Sequence, residues 1–375
     1  MNAKPAGKRD LRLDFFRGLS LWFIFIDHVP FNRASWLTIR NYGFSDAAEI
    51  FVFISGYTAA FVYGRMMREQ GFVVAGARIL KRAWQLYVAF VFLSVIYIAQ
   101  IAYVAHNFQN PLFAEEMVTL HFLNRPEIVL LEVLRLRFLL ANADVLPLYI
   151  VLMAAFPLIL WLMLRAPTLG LALSIAVWAA AYFGGVNLNL YPTGRGWFFN
   201  PFAWQLLFSI GAWCAVAGGE WIRMLRESKT VITLCVTYLI AAFAMVTTTW
   251  SPRWLNVLPE WLVIFPLDKS GMSPLRLAHF LALALITVHF VPQNAKWLNS
   301  APAQPLILCG RHSLEVFCLG VFLSYTAGFI LIEFSSAVYM QVLVTLGGLL
   351  AMIGLAALMS WYKSLGQRPP RTQAA

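Results

Sequence analysis

The chain has 375 residues, of which 61% are hydrophobic and only 12% charged, with a mean hydropathy of +0.71. A soluble domain carries about 25% charged residues, so the composition excludes a water-soluble globular protein and indicates an integral membrane protein. The formal net charge of +11 does not call for nucleic acid, because positively charged cytoplasmic loops account for it.

The first segment, MNAKPAGKRDLRLD, has the basic character of a signal-peptide leader. No small-residue cleavage site follows its apolar run, so a retained first span is expected. About twenty apolar residues cross a bilayer. On that measure spans are expected near 13–30, 46–64, 80–104, 144–164, 168–186, 201–218, 230–249, 275–292, 313–333 and 338–362. Long apolar runs, rather than short alternating segments, make these helices and not the strands of a barrel. The fold class expected is an all-α integral membrane protein, a polytopic bundle of about ten transmembrane helices forming a single domain over 1–375. With the N-terminus inside, eighteen Lys and Arg fall in cytoplasmic segments and nine in outside loops. That bias places both termini, about 1–12 and 363–375, in the cytoplasm. The longest outside connection, 105–143, contains a stretch with helical apolar spacing and interleaved Arg135 and Arg137, read as an interfacial helix.

Charge inside the spans is where chemistry is expected, since an ionisable group in hydrocarbon is costly unless it faces a polar partner or cavity. The first span reads FFRGLSLWFIFIDHVP. Arg17 and His28 come within about 20° of one helix face, roughly 16 Å apart along the axis, and Asp14 is about 40° to the other side of His28. Asp27 projects about 100° from His28, so a carboxylate partner for the imidazole is sought both there and on another helix. The second span opens GFSDAAEIFVFISGY, with Asp46 and Glu49 on one face. Asp46 also reads as a helix N-cap. In the Ser55-Gly56-Tyr57 step that follows, the glycine admits close approach of a helix or a ligand. Cys214, Cys235, Cys309 and Cys318 form no CxxC pair and sit in or beside apolar segments. They are small core residues, and no metal site or disulfide framework is expected. His279 reads as a packed polar residue, and His106, His121 and His289 carry no assignment. Trp36, Trp197, Trp250 and Trp254 suit either interfacial anchoring or stacking on sugars.

Arg17 and His28 with ten residues between them, then IFVFISGY, then RILKRAWQLY at 78–87, resemble the membrane acyltransferase-3 superfamily. The blocks LDFFRGLSLWFIFIDH, RNYGFSDAAEIFVFISGY, DVLPLY, NPFAWQLLF, LDKSGMSPLRLAHF and GRHSLEVF resemble one branch of it, the OpgC-type proteins linked to succinylation of osmoregulated periplasmic glucans. Tyr57 stands where phenylalanine is more usual in the superfamily.

The resemblance implies a multi-pass enzyme of the bacterial inner membrane. It would carry a succinyl group from a cytoplasmic acyl donor, succinyl-CoA or another acyl-CoA, to a glucan hydroxyl on the other side. The acyl-CoA is a co-substrate, and no tightly bound cofactor is expected. Acyl-CoA, periplasmic glucan and membrane lipid are the partners implied, with nucleic acid excluded and a homo-oligomer open.

On this reading His28 is the catalytic base, or first carries the acyl group, and Asp27, Asp46 or Glu49 orients it. Arg17 lies on the donor side. Arg78, Lys81 and Arg82 suit CoA phosphates as clustered cations, or serve only to set topology. Arg311, His312 and Ser313 form a second donor-side candidate at a helix start. Ser55, Tyr57, Asp144, Lys269 and Arg276 are candidates for the acceptor or for the succinyl carboxylate. An O-acetyltransferase of another envelope polysaccharide is the alternative within the enzyme class. A glucan or solute transporter is the alternative outside it, although no inverted repeat is visible.

Overall fold

The computed structural model describes residues 10–108, 125–140, 142–250, 264 and 266–366, and every described element is helical apart from one isolated bridge between Asn189 and Gly196. The helices are α1 (Leu11–His28), α2 (Ala47–Phe108), α3 (Pro126–Leu134), α4 (Val145–Arg165), α5 (Pro167–Gly184), α6 (Pro201–Val216), α7 (Gly219–Glu227), α8 (Lys229–Trp250), α9 (Pro274–Phe290), α10 (Gln304–Arg311), α11 (Ser313–Glu333) and α12 (Val338–Gly366). They fall into two compact units, one of residues 1–38 with 288–375 and the other of residues 39–287.

In the first unit α1 packs on α10 and α11, and α12 covers both of these. Asp10 caps α1 through the Arg12 amide at 3.0 Å. Pro30 stops the helix by forcing Val29 into an extended conformation (φ −79°, ψ 112°), which leaves His28 as its last residue. The α1–α10 contact is made by paired glycines. A Cβ on Gly18 would stand 1.8 Å from the Leu306 carbonyl oxygen, and one on Gly310 would stand 1.9 Å from that of Asp14. Without side chains there, the two backbones touch.

The second unit repeats this device. α2 packs mainly on α6 and α4, and α5 lies against α6. A Cβ on Gly56 would stand 2.0 Å from the Phe208 carbonyl oxygen, and one on Gly211 would stand 2.2 Å from that of Phe53. The close approach that the Ser-Gly-Tyr step permits is therefore that of a helix. Around the crossing are Trp204, Phe156 and Phe208, all fully buried. Ser174 on α5 donates to Gln205 Oε1 on α6 at 2.5 Å, and Gln205 Nε2 returns a bond to the Ser174 carbonyl at 2.8 Å. This pair satisfies polar groups that apolar surroundings would otherwise leave costly.

α2 is not one straight rod. At 62 residues a straight helix would be about 93 Å long, three times the hydrocarbon thickness. Gly71 breaks it with φ 86° and ψ 171°, a conformation open to glycine. A Cβ on Gly64 would be 3.7 Å from Leu160 and one on Gly76 3.8 Å from Pro157, both on α4. Positions 64 and 76 would be about 18 Å apart on a straight helix, whereas Pro157 and Leu160 are about 4.5 Å apart on theirs. The chain doubles back at Gly71, which also brings Arg78 and Arg82 within electrostatic reach of Tyr63.

The expected count of about ten spans is corrected. Among the described residues six helices are long and apolar enough to cross a membrane, or seven if α6 and α7, bent by 95° at their junction, are taken as one span. The reasons are physical. The expected spans 46–64 and 80–104 both lie in α2. α1 carries Arg12, Asp14, Arg17 and Asp27 within its 18 residues. α9 has only 17 residues, and α6 has 16 before the bend. Long apolar helices in this number make the chain a multi-pass protein of the inner membrane. The terminal tails, 1–9 and 367–375, lie outside the described residues, as do His121, Trp254, the Trp250 side chain and, within the expected 105–143 connection, residues 109–124 and 141. In the described part of that connection, α3 ends at Leu134, ahead of Arg135 and Arg137. Both arginines pair back to buried Glu132, at 3.0 and 3.4 Å.

The glycine crossings give a direct test. Gly18→Ala, Gly310→Ala, Gly56→Ala and Gly211→Ala should each lower the thermal midpoint of the detergent-solubilised protein, with a loss of about 1–3 kcal/mol from overpacking. Gly354→Ala and Gly347→Ala, where nothing lies within 4 Å of the added carbon, should not lower it, since alanine favours a helix interior over glycine.

Candidate functional site

The residues singled out by sequence divide between the two units. In the first, His28 closes α1 with Nδ1 2.6 Å from the carbonyl oxygen of Ile24, one turn back. A carbonyl only accepts, so Nδ1 carries the proton and the imidazole lone pair is at Nε2. Asp27 Oδ1 accepts from the Thr38 hydroxyl at 2.7 Å, tying the end of α1 to the short helical turn over Arg33–Leu37. Thr38 carried no signal in the sequence, since nothing in its spacing links it to Asp27.

One helical turn inside the start of α1, buried Asp14 faces Arg311 Nε at 3.7 Å. Arg311, proposed for the donor side, thus belongs to the last turn of α10, where a cation also complements the helix dipole. His312 separates α10 from α11 with non-helical φ −116° and ψ 42°, and its Nε2 shares a hydrogen bond with the Ser360 hydroxyl of α12 at 2.7 Å. Ser313 is the first residue of α11, so the helix begins where the sequence placed it. Arg17 lies between these groups on α1, half-buried, and its carbonyl accepts from Ser20.

The second unit gathers Asp46, Glu49, Lys269 and Arg276 into one cluster. The D-A-A-E spacing forms a reciprocal cap. Asp46 Oδ1 accepts from the Ala48 amide at 2.9 Å, and Glu49 Oε2 accepts from the Asp46 amide at 2.8 Å. The remaining carboxylate oxygens face cations. Asp46 Oδ2 accepts from Lys269 Nζ at 2.6 Å and from Arg276 Nη2 at 2.8 Å, while Glu49 Oε1 accepts from Arg276 Nε. Glu49 is 0% exposed and Arg276 6%. Burial works to raise the Asp46 carboxyl, but the Lys269 and Arg276 charges outweigh it and hold it well below the usual carboxylate range.

The loop before α2 is pinned by further contacts from the same unit. Ser45 Oγ lies 2.8 Å from His279 Nδ1, one turn after Arg276 on α9, and both residues are buried. A Cβ on Gly43 would stand 2.4 Å from His279 Nε2, so only glycine fits there. Phe44 packs with Ala242 and Val246 of α8. His279 is thus the packed polar residue the sequence suggested. Its partner Ser45 was missed, although it directly precedes the cap residue.

Lys269 is the most open member of the cluster, with its side chain 24% exposed. Its ammonium stands 5.6 Å and 5.2 Å from the ring centroids of Phe198 and Phe199. Asp144 precedes α4 without capping it. Burial pushes its carboxyl up to about 6, against the pull of Lys269. Ser55 and Tyr57 flank the glycine crossing, half-buried. Arg78 and Lys81 are exposed beyond the Gly71 reversal, with Arg82 half-buried and donating to Gln85 at 3.2 Å. Trp197 is 2% exposed and offers no ring face to a sugar, whereas Trp36 is well exposed.

Two outcomes follow. Arg276→Ala strands the buried Glu49 carboxylate and leaves Asp46 to Lys269 alone, and should cost about 3–5 kcal/mol, read as loss of folded protein from the membrane. Arg276→Lys should recover only part, because one ammonium cannot span both acids as the guanidinium does. Asp144→Asn should raise the thermal midpoint at pH 8 by at most about 3 kcal/mol in stability terms and change nothing at pH 4. The sign follows from a folded-state carboxyl that ionises near 6: it favours the fold while protonated and costs stability as pH rises through that range.

Residues 9–364 match the family model described as OpgC protein. No curated protein and no solved structure gives a significant match. The match takes in both units, from the start of α1 through nearly all of α12, and with it the His28 helix and the Asp46–Arg276 cluster. The chain therefore belongs to the OpgC protein family, as a membrane acyltransferase that modifies envelope glucans.

Proposed function

We propose that the chain moves a succinyl group from succinyl-CoA on the cytoplasmic side to glucose hydroxyls of periplasmic glucans, with His28 as the base. The observation that carries this reading is the His28 Nδ1–Ile24 carbonyl bond. It fixes the tautomer with the lone pair at Nε2, the state a general base needs. The glucosyl O–H gives its proton to Nε2 as its oxygen attacks the thioester carbon. The C–S bond breaks, and the imidazolium returns the proton to the departing CoA sulfur, leaving an ester and free thiol. The C-terminal end of α1 is a favourable place for the passing positive charge.

Arg17, deeper on α1, meets the anionic donor. Arg78, Lys81 and Arg82 take the CoA phosphates, and Arg311, His312 and Ser313 border the donor path. Asp27 holds the end of α1 through Thr38 and so positions His28. Asp46 and Glu49 serve the site through the cluster that fixes the start of α2. Of the two cations proposed for the succinyl carboxylate, Lys269 is the better suited, because Arg276 is committed to two carboxylates and buried, while Lys269 is more open. Asp144, Ser55 and Tyr57 complete the acceptor side.

The test is the charge and mass of periplasmic glucans from cells lacking the protein, complemented with wild type or His28→Ala, with membrane levels of both measured. Loss of succinyl from glucans of normal size and abundance, with the variant present, is the expected result. Full succinylation by His28→Ala would sink the assignment of the base. A neutral acyl group lost in place of a charged one would identify an O-acetyltransferase, and absence of periplasmic glucan altogether would favour a transporter.

A further inference from the structure

α7, GEWIRMLRE, follows α6 after a sharp turn at Ala217 and Gly218, and the axes meet at 95°. At about 100° per residue, Trp221, Ile222, Met224 and Leu225 occupy one side of α7, and Glu220, Arg223, Arg226 and Glu227 the other. The apolar side is not used for packing: Trp221, Met224 and Leu225 are all exposed, and none of the α7 residues is fully buried. Two residues after α7 ends, α8 begins at Lys229 as one of the helices apolar enough to cross a membrane. α8 carries its own exposed Leu234, Ile240 and Phe243.

We propose that α7 is an in-plane anchor, lying at the membrane surface with Trp221, Met224 and Leu225 in the boundary between headgroups and acyl chains and with Arg223 and Glu227 toward water. The occupant of its apolar face is lipid. Continuity argues for this. α7 follows the apolar α6 and leads into α8, which is apolar enough to cross the membrane, and both α7 and α8 leave large apolar side chains exposed. The 95° bend would set α7 along the surface of a membrane that α6 enters steeply. Running α7 onward through hydrocarbon would instead bury four charged side chains in nine residues. The separation of apolar and charged residues on so short a helix is that of an interfacial segment. A tryptophan on the apolar side suits the same depth.

The test uses the full chain with Cys214, Cys235, Cys309 and Cys318 replaced by alanine, in nanodiscs of phosphatidylethanolamine and phosphatidylglycerol. A nitroxide is placed in turn at Arg223→Cys, Met224→Cys, Leu225→Cys and Glu227→Cys. Collision with oxygen, which partitions into lipid, is compared with collision with a water-soluble nickel chelate. Oxygen should dominate at 224 and 225 and the chelate at 223 and 227. Chelate access at all four positions would overturn the proposal, leaving α7 in water or against a soluble partner. Oxygen dominance at all four would overturn it in favour of a continued span. Should the cysteine-free chain fail to fold, Trp221→Glu and Trp221→Phe in the natural background decide the matter. A several-fold lower membrane level for the glutamate variant alone supports the anchor, and equal levels refute it.

Discussion

Cancellation of charge away from water is the constraint on which the second unit depends. Arg276 donates to Glu49 through Nε and to Asp46 through Nη2, and Lys269 completes the balance at two carboxylates and two cations. The planar guanidinium can bridge two acids because its donors point in fixed directions. Asp46 and Glu49 already cap α2 with their other oxygens, so the same two side chains end a helix and bind a segment more than two hundred residues away. Ser45–His279, Gly43 and Phe44 then have a fixed loop to pack against. Removing the arginine would release all of these together.

The first unit meets the same constraint with smaller devices. Asp14 and Arg311 form a pair across α1 and α10, at the level where Gly18 and Gly310 let the two backbones touch. His28 bonds its own helix, through the Ile24 carbonyl one turn back. Pro30 puts it there by ending the helix after His28, so the imidazole stands at the C-terminal turn and folds back onto its own helix. The neutral imidazole is thereby held in one tautomer by backbone, which mutation of neighbouring side chains does not alter.

Local features of this arrangement were legible in the sequence, and distant ones were not. The D-A-A-E spacing announced a cap, the eleven-residue step put Arg17 and His28 on one face, and the start of α11 at Ser313 was visible as a break in GRHSLEVF. All are set by helical period and by capping chemistry, which act over one or two turns. Lys269 and Arg276 were noticed as cations, but as free ones. Their commitment to Asp46 and Glu49 is a tertiary fact with no local trace. The span count failed for a related reason. Hydropathy windows see apolar length, yet they do not see that helix resumes directly across Gly71, so that two expected spans share the one element α2, or that α6 turns at Gly218.

A buried ion cluster is a poor way to gain stability. Well-packed apolar residues of equal volume often hold a fold as firmly or better, because they carry no desolvation cost. What the cluster adds is discrimination between arrangements. A leucine at position 276 would pack nearly as well one turn along α9, whereas Arg276 satisfies Asp46 and Glu49 in a single register, and Ser45–His279 one turn later repeats the condition. The start of α2 is thus locked in depth and rotation relative to α9. Gly56 then meets the Phe208 carbonyl two turns further along α2, at a contact too close to tolerate a shift. The charged residues and the glycines are two halves of one register: the first forbids sliding at the mouth of α2, and the second makes sliding along its length sterically impossible.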